Sequence, residues 1–239
     1  MPRLPLRFAR ARAKLSGSAF RARSHGASLL KAIRMRTFTV AVAAAIAALP
    51  LPASAHHFMD AGLPQTFAQG LLSGLAHPVI GLDHAAFIVG TGFFLALAER
   101  GMWGILALIF GSLLGAALHL AGVGLPGGEA GVALSVILIG GLMMARRRIE
   151  IVWLSGGLAL AGVLHGHAYA ETIFGAEAAP LAAYLIGFSL TQLGIAAVAL
   201  LIHRQLIARR EAWARPASSG LGAAVGVIGI VFLTINVVS

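Results

Sequence analysis

His77-Pro78-Val79-Ile80-Gly81-Leu82-Asp83-His84 opens an apolar run that continues to Ala98 without a further charge. A run of this length is what a bilayer-spanning helix needs, about 20 residues. It carries an aspartate and two histidines at its start, where ionisable groups are costly and mark functional sites by default. A second cluster, His165-Gly166-His167-Ala168-Tyr169-Ala170-Glu171, closes another apolar run. Imidazole and carboxylate, in a chain with no cysteine, are the ligands of a divalent ion such as nickel, cobalt or zinc. The missing thiols also exclude disulfides and thiolate metal centres.

Composition points the same way. Of 239 residues, 59% are hydrophobic and 11% charged, and the mean hydropathy is +0.89. Soluble domains carry about 25% charged residues, so the chain reads as a membrane protein. Its formal charge of +10 is confined to one end. Residues 1–55 hold ten of the 18 Lys and Arg and no acid, while residues 56–239 balance to zero. A basic leader is no nucleic-acid surface, and nucleic-acid binding is excluded.

The leader divides in two. Met35-Arg36, the apolar stretch Phe38–Leu51 and Ala53-Ser54-Ala55 form the n-region, h-region and cleavage site of a signal peptide over residues 35–55. The apolar part is shorter than a span, and Pro50 and Pro52 interrupt it. Residues 1–34 form a basic extension that reads best as a mis-assigned start. The mature chain is expected to begin at His56 as one membrane domain, 56–239.

Six apolar segments follow, at 79–98, 102–122, 130–145, 150–168, 180–202 and 219–238. The fold class expected is therefore all-α: a six-helix transmembrane bundle after a cleaved signal peptide. All eight Arg of the mature chain fall at 100, 146–148 and 204–215, in alternate connections. The segments 56–77, 122–129 and 169–179 contain neither Lys nor Arg. By the positive-inside rule both mature termini lie outside, in the periplasm of a bacterial inner membrane.

That orientation gathers the polar groups toward the outer face. His77, Asp83 and His84 fall in the first span, His119 at the end of the second, Glu129 at the start of the third, and His165, His167 and Glu171 at the end of the fourth. His56 and His57 lie on the outer tail, and His203 reads as part of the basic inner rim. Pro78 suits the first turn of a helix, with His77 flanking it. On a regular helix His77 and His84 would stand about 10 Å apart, too far to share an ion, so either the chain breaks near Pro78 and Gly81 or they serve successive sites. Gly166 would let a helix end unwind so that His165 and His167 both face inward, as in the broken helices of transporters. The expected metal-handling set is His77, Asp83, His84, His165, His167 and Glu171, with Glu129, His119, His56 and His57 beside them. Asp83 could instead hydrogen-bond His84 or a neighbouring helix, or orient a ligating imidazole. Glu129 could be a dipole-favoured N-terminal acid.

These residues resemble a family. His77-x5-Asp83-His84, preceded by Phe67-Ala68-Gln69-Gly70, is similar to the first-helix signature of the HupE/UreJ nickel/cobalt permeases. Leu164-His165-Gly166-His167-Ala168-Tyr169-Ala170-Glu171 is similar to the second, in which Phe-His-Gly leads to a Glu six positions after the His. Leu164 stands for the Phe and Ala170 for a common Gly; the polar members are intact. The Glu129–Ser135 segment and the Arg-rich third connection also resemble that family. The related His-x4-Asp-His transporters use a motif one residue shorter. The resemblance implies six helices after a cleaved signal, inward passage of Ni2+ or Co2+, and metal handling by His77, Asp83, His84, His165 and Glu171.

The expected function is thus an inward permease for Ni2+ or Co2+, not an enzyme, with the ion as transported substrate and no cofactor. The alternative is an intramembrane zinc-dependent hydrolase, since three His and an acid could hold Zn2+ and activate water. Nothing of the Gly-x4-Gly-Lys-Ser/Thr type marks ATP binding. Expected partners are membrane lipid, the ion, and metal-delivery proteins for hydrogenase, urease or cobalamin synthesis.

Overall fold

The computed structural model describes residues 62–238. The signal peptide, the basic extension, His56 and His57 lie outside the described residues. Seven helices account for the regular structure there: α1 Phe67–Ile80, α2 Leu82–Leu95, α3 Gly101–Leu120, α4 Gly128–Ala145, α5 Ile151–Glu171, α6 Ala178–Arg209 and α7 Glu211–Val238. Five of them, α3 to α7, are long and apolar enough to cross a membrane, and α1 with α2 supplies a sixth span if the bent pair is counted as one.

The first span departs from expectation. Its helix begins at Phe67 rather than Val79, breaks at Gly81, and resumes with the two halves bent by 77°. A capping box explains the early start: Thr66 Oγ1 accepts from Gln69 N at 3.2 Å, and Gln69 Oε1 accepts from Thr66 N at 3.2 Å. Pro78 therefore sits inside the last turn of α1 instead of opening a helix, and much of the expected outer tail is helical. Two later boundaries also move. Helix α6 runs to Arg209 rather than 202, and α7 starts at Glu211 rather than 219. At 32 residues, α6 is about 48 Å long and overreaches a hydrocarbon core of about 30 Å.

Helix α2 forms the centre. Every residue from Gly90 to Leu95 is buried, and α2 touches α1, α3, α4, α6 and α7. Around it three pairs pack closely: α3 with α5, α4 with α7, and α1 with α6. The α3–α5 pair shows why. A Cβ at Gly111 or Gly115 would overlap the carbonyls of Ala159 or Val163, and one at Gly162 or Gly166 would overlap those of Leu108 or Ser112. Glycines one turn apart on each helix thus let the backbones touch, the usual means of tight packing where lipid removes the hydrophobic incentive. The outward faces carry large exposed apolar side chains, among them Phe110, Leu138 and Leu160, as lipid contact requires. All three tryptophans, Trp103, Trp153 and Trp213, are exposed in the first turns of α3, α5 and α7, at the end where the arginines lie. Aromatic residues at that level mark a membrane–water interface.

Candidate metal centre

The break at Gly81 builds the deeper part of the site. It folds His84 back toward the end of α1, so His77 and His84 have ring centroids 5.9 Å apart. The chain is therefore irregular between them, the first of the two possibilities left open by the spacing. Gly81 has φ −70°, open to any residue. What it lacks is bulk: a Cβ there would stand 2.7 Å from Cδ2 of His84. Asp83, in the first turn of α2, accepts the backbone N–H of His84 on Oδ1 at 2.9 Å. That is the local bond weighed for it, and it also places a carboxylate at the positive end of α2.

Across from His84 stands His165 of α5, buried, with the two Nδ1 atoms 2.9 Å apart. Ser135 of α4 fixes the protons. Its hydroxyl hydrogen goes to the Val132 carbonyl at 2.7 Å, so its oxygen accepts from His165 Nε2 at 2.8 Å. A neutral imidazole has one N–H; His165 Nδ1 is then the acceptor and His84 Nδ1 the donor. Phe87 stacks under His165 at 4.2 Å, while Tyr169 packs against the rings of His84 at 4.5 Å and His77 at 5.1 Å. The Tyr169 hydroxyl is buried without a hydrogen-bond partner. Thr172 and Tyr184 close this side: Tyr184 donates to the Tyr169 carbonyl at 2.8 Å, and the Thr172 hydroxyl lies 3.2 Å from that of Tyr184.

A second group occupies the other face of α5. Helix α5 runs unbroken through Gly166, so His165 and His167 do not both turn to one cavity. Two residues on a regular helix are about 200° apart. His165 and Tyr169 form one stripe, facing α2, and His167 and Glu171 form the opposite one. Gly166 serves the contact with Ser112 of α3 rather than an unwound end. Buried His167 meets His119 of α3, Nε2 to Nδ1 at 3.3 Å, and donates from Nε2 to the Val123 carbonyl at 2.9 Å. His119, His167 and Glu171 each offer a donor atom within 4.8 Å of the others. They adjoin a cleft of about 350 Å³ whose lining includes His167, Glu171, Glu129 and Asn236. Glu129 is exposed in the first turn of α4, the position where a dipole-favoured acid stands.

The expected residues thus divide. His77, Asp83, His84 and His165 gather on one side of α5; His119, His167, Glu171 and Glu129 gather on the other. Glu171, expected to share the cavity of His84, joins the second group. His203 is no rim residue. It is buried at the far end, donates from Nδ1 to the Phe93 carbonyl and stacks on Phe93 at 3.9 Å. Sequence reasoning assigned no role to Ser135, Tyr169, Thr172, Tyr184 or the Val123 carbonyl. For Tyr169 a signal exists, its i+4 spacing from His165.

The family described as HupE / UreJ protein matches residues 26–232. Protein HupE of Rhizobium leguminosarum bv. viciae is 32% identical over 126 residues, which is 52% of this chain and 63% of that protein. The alignment thus spans less than two thirds of the relative's length. No solved structure matches.

Proposed function

We propose, on the premise that this chain belongs to the HupE/UreJ family and is a multi-pass membrane protein, that it is an inward permease for Ni2+ or Co2+ in the bacterial inner membrane. The observation that carries the reading is the pair of Nδ1 atoms 2.9 Å apart inside the bundle. Two nitrogen ligands at right angles on one ion, with bonds of about 2.05 Å, stand about 2.9 Å apart. The backbone is already at the spacing such a pair needs; to bind, His84 must carry its hydrogen on Nε2 instead of Nδ1, and the rings must turn to aim their two Nδ1 lone pairs at a common point. Tetragonal nitrogen and oxygen sets suit nickel.

The surroundings favour passage over tight capture. Asp83 supplies negative charge beside the pair. The unpartnered Tyr169 hydroxyl offers an oxygen to the ion or its water. Phe87 lines the inner side with an apolar wall that gives the ion no further ligand. At −100 mV an entering divalent cation gains about 4–5 kcal/mol, two charges at about 2.3 each, which drives inward flow without ATP. Family membership displaces the zinc-hydrolase alternative.

The topology belongs to the same proposal. A signal peptide ending at Ala55, with His56 as the mature N-terminus, puts both ends of the mature chain in the periplasm and the arginine-bearing end in the cytoplasm. Mass spectrometry of the purified protein checks this; a retained Met35 segment would overturn it. Uptake of radiolabelled Ni2+ and Co2+ by cells tests the function. His84→Ala with His165→Ala should abolish accumulation at normal protein levels, and full uptake by that variant would sink the assignment.

A further inference from the structure

We infer that His119, His167 and Glu171 form a second divalent transition-metal site, with Glu129 across the cleft, that is separate from the His84–His165 pair and loads it from the same end of the bundle. This rests on the permease reading and adds a binding station to it. The first ground is geometry. Donor atoms within 4.8 Å of one another come from α3 and α5, whose backbones the glycine contacts hold together. Gly115 lies one turn before His119, against the carbonyl of Val163, itself one turn before His167. Ligands on one ion at about 2.1 Å stand between about 2.9 and 4.2 Å apart. A closure of roughly half an ångström completes the set, and the half-buried His119 and exposed Glu171 can supply it.

The second ground is hydrogen bonding. His167 gives its Nε2 hydrogen to the Val123 carbonyl, because a carbonyl only accepts. Its basic nitrogen is then Nδ1. The carbonyl thus holds the ring by Nε2, the nitrogen 3.3 Å from His119 Nδ1, and leaves Nδ1 to meet the ion, as a backbone carbonyl on the other nitrogen does for metal-bound imidazole. The third ground is charge and access. Glu129 and Glu171 line the same cleft as His167, placing two carboxylates over a site that the ion reaches from water. The deep pair lies on the opposite face of α5. One ion therefore cannot bridge both groups, and the two are separate stations at the same end of the bundle.

Co2+ binding by the full-length protein in detergent separates the alternatives, read by equilibrium dialysis and by the cobalt absorption spectrum. His119→Ala with His167→Ala should lose one equivalent and keep the spectrum of the other; His84→Ala with His165→Ala should do the reverse. His119→Gln with Glu171→Gln, which spares the buried imidazole, should reproduce the first result if truncation at 167 impairs folding. Removing a residue that merely orients a ligand lowers metal affinity about 10–100-fold. The half-saturating concentration for uptake should therefore rise at least tenfold in both outer variants. Unchanged stoichiometry and affinity in the outer variants would overturn the inference, and so would loss of both equivalents from a folded outer variant, which would mean a single site. Failure of the permease reading is a different result: full uptake by the deep variant, whatever the outer count.

Discussion

His84 Nδ1 and His165 Nδ1 face each other at 2.9 Å although 81 residues separate them in the chain. The contact depends on three features that have little to do with the rings themselves. Gly81 breaks the first span, Ser135 holds the proton on the far nitrogen of His165, and Phe87 supports the ring from below. Each can be altered without removing a ligand.

Ser135→Ala removes the acceptor that orients His165. Co2+ affinity at the deep site should fall about 10–100-fold, the range found when outer-shell partners of metal-bound histidines are lost. Protein levels should stay normal, and Ser135→Thr should restore part of the affinity. Unchanged affinity would show that the hydroxyl has no orienting role.

Gly81→Ala should displace the His84 ring, because the new methyl would meet Cδ2 at 2.7 Å. Backbone conformation is no obstacle to alanine at this φ. The expected result is a loss of roughly tenfold or more in Co2+ affinity with the bundle intact. Wild-type binding would mean that the ring moves freely.

Asp83→Asn keeps the oxygen that accepts the His84 N–H but removes the charge. Accumulation of Ni2+ and Co2+ in cells should be abolished while the protein remains in the membrane at normal levels. Full transport at limiting metal would reduce Asp83 to a helix-terminal acid.

Gly166→Ala and Gly156→Ala form a matched pair on α5. The first would push a methyl into the Ser112 carbonyl and should destabilise the protein by about 1–3 kcal/mol, the usual penalty for overpacking. The second meets nothing within 4 Å and should be neutral. Thermal unfolding in detergent gives the comparison; equal melting would refute the close α3–α5 contact.

His203→Ala tests the residue at the opposite end. Loss of a buried ring and of its bond to the Phe93 carbonyl should lower stability by about 2–4 kcal/mol. Because His203 lies far from both His groups, the half-saturating metal concentration should not change. A selective change in that concentration would instead place His203 on the ion's path.

Five spans were legible because hydropathy is a local property: a helix in lipid must be apolar along its whole length, and α3, α4, α5, α6 and α7 all read that way. The break at Gly81 was legible only as one of two alternatives, since the spacing of His77 and His84 allows either a break or two sites and hydropathy does not choose between them. The start of α1 was written at Thr66 and Gln69, a capping box masked by the polar surroundings. Residue types likewise picked out polar groups that gather inside the bundle, but not their division into two. His165, His167, Tyr169 and Glu171 sort into two stripes only if α5 stays regular. Gly166 read alone allows unwinding; its need for a bare backbone becomes visible only with Ser112 opposite it. His203 followed the same rule, since nothing local to Arg204 shows that Phe93 covers the ring.

The glycine contacts decide which parts of the molecule can move. Backbones that touch at two successive turns cannot slide or roll past each other without steric overlap, so α3 and α5 travel as a single strut. The close packing of α4 with α7 and of α1 with α6 makes two more. Helix α2 meets α4 and α7 at Gly90 through the side chains of Met143, Ile139 and Val225, which can change rotamer, but at Gly92 its backbone lies against the Ala196 carbonyl of α6. Helix α2 is thereby tied to the α1–α6 pair, and the His84–His165 contact, made by side chains, lies on the seam between that body and the α3–α5 strut.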